Sequence, residues 1–148
     1  MGNGGNSSFK ATLAALRKGT EGDFSGMELS ADEVESVCAA LHPRVVKLDM
    51  SGCGLGASGA ASLAASLKGC TAVTVLALNN NQIGDSGAAS LAASLKGCTA
   101  LTHLDLDNNQ FTDAGAHALA ATIPFCQKLT LVNIDPNANV SAAGYTAV

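Results

Sequence analysis

Three side chains able to bind a metal or move a proton alternate in the stretch "LTHLDLDNN": His103, Asp105 and Asp107. Alternation places them on one face of an extended strand, and an imidazole beside carboxylates is a donor set for a divalent cation. Three ligands along one flat strand do not converge on a point, and no second histidine falls beside them, so no metal site is expected. Cysteine is the other candidate. Cys70, Cys98 and Cys126 recur every 28 residues, with Cys38 and Cys53 outside that series. The paired C-x-x-C spacing of zinc sites is missing, and a free cysteine packs as a small hydrophobe, so this ladder reads as structural. No phosphate loop, G-x-S-x-G or H-E-x-x-H motif occurs. No catalytic residue, metal or cofactor is expected, and the chain reads as a non-enzyme.

The interval of 28 governs far more than the cysteines. Fifteen residues, "SGAASLAASLKGCTA", occur verbatim at 58–72 and 86–100. Aligned at that period, Val45, Val73, Leu101 and Leu129 share a column, as do Leu48, Leu76, Leu104 and Val132, then Met50, Leu78, Leu106 and Ile134. A fourth column holds Cys53, Asn81, Asn109 and Asn137, and a fifth holds Leu55, Ile83 and Phe111, with Val140 joining after one inserted residue. Alternating leucines such as Leu76 and Leu78 predict a short strand. Leu63 with Leu67, and Leu91 with Leu95, predict a following helix with one apolar stripe. Asp85 or Ser86 is the expected cap of the second such helix, and Lys96-Gly97 its expected left-handed stop. Asn81 and Asn109 are expected inside the turns, bonding backbone groups of neighbouring copies, with Cys53 in that place one copy earlier. One such unit cannot bury its own apolar face and must stack on others.

Both ends carry worn copies. Residues 8–18 predict an amphipathic helix burying Phe9, Leu13 and Leu16, and "FSGMEL" aligns Phe24, Met27 and Leu29 with Met50, Cys53 and Leu55. "SADE" is a capping box ahead of Val34, Val37, Cys38 and Leu41. The expected organisation is a flexible tail at 1–7, an N-terminal cap helix with a degenerate first repeat at 8–44, and 28-residue repeats at 45–148, the last incomplete. The last copy stops at "SAAGYTAV". Truncation, cover by a partner and pairing with another copy all remain open as accounts of that ending.

Written out, each copy reads L-x-x-L-x-L-x-x-(N/C)-x-L, as in "LTHLDLDNNQF" at 101–111. This resembles the leucine-rich repeat, and the period with its helical second half resembles the ribonuclease-inhibitor-like subclass, over roughly 22–148. The resemblance implies an α/β leucine-rich repeat solenoid: a curved right-handed β-α superhelix with a parallel sheet on the concave side and helices on the convex side. It also implies a protein-binding role.

Strand residues between the leucines then face outward on the concave sheet: Glu21, Asp23 and Ser25; Lys47, Asp49 and Ser51; Val75, Ala77 and Asn79; His103, Asp105 and Asp107; Leu131, Asn133 and Asp135. Two of these columns are largely acidic or amide, which suits a basic protein partner. The expected partner-binding set is Lys47, Asp49, Ser51, Asn79, His103, Asp105, Asp107, Asn133 and Asp135. The helix positions Ala61, Ser62, Ala65 and Ser66, and their copies 89, 90, 93 and 94, are expected to face solvent with almost no charge. A net charge of −4 with basic residues scattered along the chain argues against nucleic acid. No apolar run suggests a membrane span, and five cysteines without a secretory leader suggest reduced thiols in the cytoplasm. The functional expectation is a non-catalytic interaction module or small scaffold subunit of an intracellular complex, binding through its concave face. Two alternatives stand beside it. One is a contact-type GTPase-activating protein using Lys47, Asn80, His103 and Asn108; the other is a cytoskeletal or assembly component packed through the uncharged convex helices.

Overall fold

A computed structural model describes residues 7–136. The tail at 1–6, the fourth-column Asn137, Val140 and the incomplete last helix lie outside the described residues.

Strand and helix alternate along the chain: α1 (Ser7–Lys18), β1 (Glu21–Asp23), α2 (Ala31–Ala40), β2 (Lys47–Asp49), α3 (Gly56–Leu67), β3 (Val75–Ala77), α4 (Gly84–Leu95), β4 (His103–Asp105), α5 (Asp113–Ala120) and β5 (Leu131–Asn133). A 3₁₀ turn, Ile123–Phe125, precedes β5. The strands form one parallel sheet in the order of the sequence. Leu48 pairs with Leu76, Leu76 with Leu104 and Leu104 with Val132, so the register steps by the repeat period. The first step is shorter: Gly22 pairs with Leu48. Each strand with its following helix is one coil, numbered here by its strand, and the coils stack into an α/β solenoid.

The core is one continuous aliphatic seam from Phe9 to Ile134. The aligned columns fill it: Val45, Val73 and Leu101, then Leu48, Leu76 and Leu104, then Met50, Leu78 and Leu106 are all buried. At its N-terminal end α1 buries Phe9, Leu13 and Leu16, and the Phe9 and Phe24 rings meet with centroids 5.8 Å apart. Ser30 caps α2 through the predicted capping box, with Glu33 reaching back to the Ser30 N–H at 2.9 Å.

Inside the turns the asparagines hold coil to coil. Asn81 Oδ1 accepts from the Cys53 N–H at 2.9 Å and the Leu55 N–H at 3.2 Å, one coil back. Its Nδ2 donates to Met50 O at 2.8 Å and Leu78 O at 2.9 Å. Asn109 repeats the pattern one coil on, accepting from Asn81 N–H and Ile83 N–H and donating to Leu78 O and Leu106 O. Both side chains are fully buried, and they satisfy backbone groups that no strand ladder reaches. Cys53 fills the same place with one atom, its thiol donating to Phe24 O at 3.0 Å.

Local expectations fail at three points. Asp85 does not cap its own helix. The α4 N-cap is Ile83 with no side-chain bond, and the Gly84 N–H is met instead by Asn109 O of the next coil at 2.8 Å. Gly97 is not left-handed: the helix leaves through i→i+3 bonds from Gly97 to Ser94 O and Cys98 to Leu95 O, which satisfy the last carbonyls without positive φ. Ser94 is buried, not solvent-facing, and its hydroxyl donates to Leu91 O at 2.9 Å. Its verbatim copy Ser66 is half-buried, so identical sequence meets unlike neighbours.

Candidate functional site

The sheet register builds the outward face in columns. Glu21, Lys47, Val75, His103 and Leu131 stand side by side, and Asp23, Asp49, Ala77, Asp105 and Asn133 form the next column. Ser51, Asn79, Asp107 and Asp135 follow just beyond their strands. All nine expected partner-binding residues are exposed or half-buried, so the fold brings them to one surface. Glu21 and Lys47 form an ion pair at 3.9 Å between two well-exposed side chains, a contact of little energetic weight.

Local turns tune the acids. Asp23 Oδ1 accepts from the Ser25 N–H at 3.0 Å and the Ser25 hydroxyl at 2.6 Å, and Asp49 is bound the same way by Ser51. The Ser25 hydroxyl, then its N–H, holds the Asp23 carboxyl below its ordinary value. In coil 4 the same turn carries Asp107 where coils 1 and 2 have serine, with the Asp107 N–H donating to Asp105 Oδ1 at 3.3 Å. A second carboxyl now stands where a hydroxyl donor stood. Burial, then the Asp105 charge and hydrogen bond, then Asp135, push the Asp107 carboxyl up. Its Oδ1 is buried with no hydrogen-bond partner among the described residues.

The acidic strip is not continuous. Val75 and Ala77 interrupt it in the middle coil, and Leu131 is 53% exposed on the same face. With His103, Asp105 and Asn133 they line an open recess of about 320 Å³. Leu131, Val75 and Ala77 were visible as column members; the register places His103 between Val75 and Leu131, so the apolar side chains flank β4 on both sides of the recess. His103, Asp105 and Asp107 do share a face, yet among the described residues no group of three His, Cys, Asp or Glu side chains is arranged to hold a metal ion.

Two further surfaces flank the sheet. At the C-terminal ends of the strands, Asn80, Gln82, Asn108 and Gln110 all take left-handed backbone, with φ between 52° and 62°. In coil 2 the matching positions are Gly52 and Gly54, residues that tolerate positive φ without strain. The amide rim bounds a recess of about 300 Å³.

At the opposite edge lie five of the basic residues that are scattered along the sequence. Every strand is preceded by a cation: Lys18 before β1, Arg44 before β2, Lys68 before β3, Lys96 before β4 and Lys128 before β5. All five are exposed. They stand at two levels of that edge: Lys68 and Lys96 at helix ends seven residues ahead of their strands, Arg44 and Lys128 three residues ahead of theirs. A cation in each interval between helix and strand was the signal available.

The cysteines are packing residues. All five are free and buried. Burial, then the neighbouring Cys126 and Cys70, push the Cys98 thiol up to about 11. Burial likewise lifts Cys53 to about 11.

Comparison with known proteins agrees with this geometry. The model described as "Leucine Rich repeat" matches residues 44–64, 69–92 and 97–120. No curated protein matches the chain. Among solved structures, leiomodin-1 actin-binding site 2 superposes with a TM-score of 0.80 at 17% identity, covering 94% of this chain and 84% of that one. The tropomodulin C-terminal domain of Caenorhabditis elegans superposes with a TM-score of 0.78 at 17% identity, covering 95% and 88%. Matched repeats, parallel register and a buried asparagine ladder lead to one assignment: the chain is a leucine-rich repeat protein.

Proposed function

We propose that this chain is a non-catalytic protein-interaction module, a small scaffold subunit of a cytoplasmic complex, that binds a basic, amphipathic protein segment on its concave sheet. The observation that carries this reading is an apolar floor of Val75 and Ala77 between the acids Asp49 and Asp105, with the exposed Leu131 on the far side of His103. An apolar centre with a charged rim is the usual anatomy of a protein interface. In this reading residues 8–44 close one end of the solenoid and the coils from 45 onward present the face.

A cytoskeletal role is the second reading. It is supported by the similarity to leiomodin-1 actin-binding site 2 and by the uncharged convex surface, where Ala61, Ala65, Ala89 and Ala93 are exposed. The test is affinity capture from the native source with the wild type and with an Asp49→Asn, Asp105→Asn, Leu131→Ser variant. Loss of a stoichiometric partner in the variant supports concave binding; an unchanged partner refutes it. Co-sedimentation with actin filaments, wild type against variant, separates the cytoskeletal reading, because filament binding that survives the variant must use another surface.

A further inference from the structure

We propose that the basic edge is a second docking surface, which receives an acidic polypeptide segment in extended conformation. It lies on a different face from the concave site and does not rest on that reading.

The edge presents one cation per coil, Lys18, Arg44, Lys68, Lys96 and Lys128 in spatial order. Among the described residues none of the five has a carboxylate within ion-pair distance. Stabilisation of helix C-termini by cations accounts for Lys18, Lys68 and Lys96, which sit at such ends. It does not account for Arg44 and Lys128, which lie in the turns that lead into β2 and β5. Nor does it account for Phe125, which stands 54% exposed on this edge with the Lys96 ammonium 5.2 Å from its ring centre. An exposed aromatic side chain stacked against a lysine is a hot-spot chemistry of interfaces. Beside it lies an open recess of about 550 Å³ lined by Thr71, Thr99, Ala100, Phe125, Gln127 and Lys128. Hydroxyl, amide and ammonium donors around one ring suit a carboxylate-bearing chain with an apolar residue.

Geometry favours a peptide over other polyanions. Stacked coils advance between about 5 Å at the sheet and about 10 Å at the helices. An extended chain rises about 3.3 Å per residue, so carboxylates two or three residues apart match the step between equivalent cations such as Lys68 and Lys96. A membrane anchor calls for several apolar side chains, and Phe125 is the one large exposed example on this edge among the described residues. A duplex is opposed by the net charge of −4.

The test is fluorescence anisotropy with a labelled synthetic peptide carrying glutamate at every third position and one leucine. Its glutamine analogue, phosphatidylserine-containing vesicles and a single-stranded oligonucleotide are the parallel probes. The expected result is saturable binding of the acidic peptide alone, weakening as salt is raised. Lys96→Glu with Lys128→Glu should lower affinity at least about tenfold, and Phe125→Ser about threefold. The concave Asp49→Asn, Asp105→Asn variant should bind the peptide like the wild type, so the two surfaces fail or succeed separately. Lys96→Gln with Lys128→Gln is the milder pair, used if charge reversal removes the cooperative thermal transition. Equal binding by wild type and either lysine pair, no binding of the acidic peptide, or preference for vesicles or oligonucleotide overturns the proposal.

Discussion

Two buried polar side chains decide how firmly one coil holds the next. Asn81 makes five hydrogen bonds to backbone, two of them to N–H groups of the preceding coil. Asn81→Ala removes all five and leaves fully desolvated partners, so the expected loss is about 3 kcal/mol. Asn81→Cys should lose roughly half as much, because Cys53 serves in that position with a thiol that reaches Phe24 O at 3.0 Å and, more weakly, Ser51 O at 3.7 Å. Urea titration of the two variants checks both the size and the order. Asp85 acts across coils as well: its Oδ1 accepts from the Thr112 N–H at 2.8 Å and the Gly115 N–H at 3.0 Å, and its Oδ2 from the Thr112 hydroxyl. Burial works to raise this carboxyl, but the bonds from Thr112 and Gly115 outweigh it and the group is held below its ordinary value. A depressed folded value means stability present above the unfolded value and lost as pH falls through the folded one. Asp107 has the opposite sign. Its raised value gives stability that is fully present below the unfolded value and lost as pH rises through the folded one. Asp85→Ala should therefore lose about 1–2 kcal/mol at neutral pH and little in acid. Asp107→Asn should gain about 0.5 kcal/mol at neutral pH, the scale of like charges on adjacent strands, and nothing in acid. Thermal midpoints at several pH values read both slopes.

At the level of helix on helix, the verbatim segments are not interchangeable. A methyl on Gly59 would meet Leu55 Cβ at 3.1 Å, while one on Gly87 would lie 2.3 Å from Ile83 Cγ2 and 3.1 Å from Ala60 Cβ. Alanine gains up to about 1 kcal/mol in helix propensity at either site, so Gly59→Ala should be near neutral. Gly87→Ala forces the β-branched Ile83 to move and should lose about 1–2 kcal/mol. Ile83→Leu should restore most of it, since leucine stands at that position in the preceding coil. Chemical denaturation of the single and double variants measures the coupling. This difference marks where reading a sequence stops. Column positions were legible because apolar periodicity is local: Leu48, Leu76 and Leu104 pair as their spacing requires, and the Ser30 box caps its helix as written. Contacts between coils were legible only at the repeat asparagines, Asn81 and Asn109. Asp85 is a good local cap by type, yet its partners lie 27 to 30 residues ahead, where distances along the chain carry no signal. The basic edge was missed for the same reason, while the concave residues were found because strand alternation alone points them outward.

For the whole molecule, a solenoid predicts that one coil can be excised without redesign. Removing residues 57–84 joins Gly56 directly to Asp85. The joint is conformationally matched, because Gly56 and Gly84 share left-handed backbone with φ of 62° and 67°. Leu55 would then face Gly87 in place of Ile83, as it now faces Gly59. The Cys53 and Leu55 N–H groups would find Asn109 Oδ1 where Asn81 Oδ1 now serves, and Asp85 keeps Thr112 and Gly115. Unfolding should remain a single cooperative transition with a denaturant slope lower by about a fifth, in proportion to the surface buried by one coil. The same excision brings β2 against β4, closing the gap made by Val75 and Ala77 so that Asp49 stands beside Asp105. Concave binding that depends on the apolar floor should be lost although the acidic column is now unbroken. A basic-edge ligand, which still finds Lys18, Arg44, Lys96 and Lys128, should bind with one contact fewer. A shortened chain that folds and keeps full concave affinity would show charge alone to be the determinant there; one that unfolds without cooperativity would show that the coils are not equivalent units.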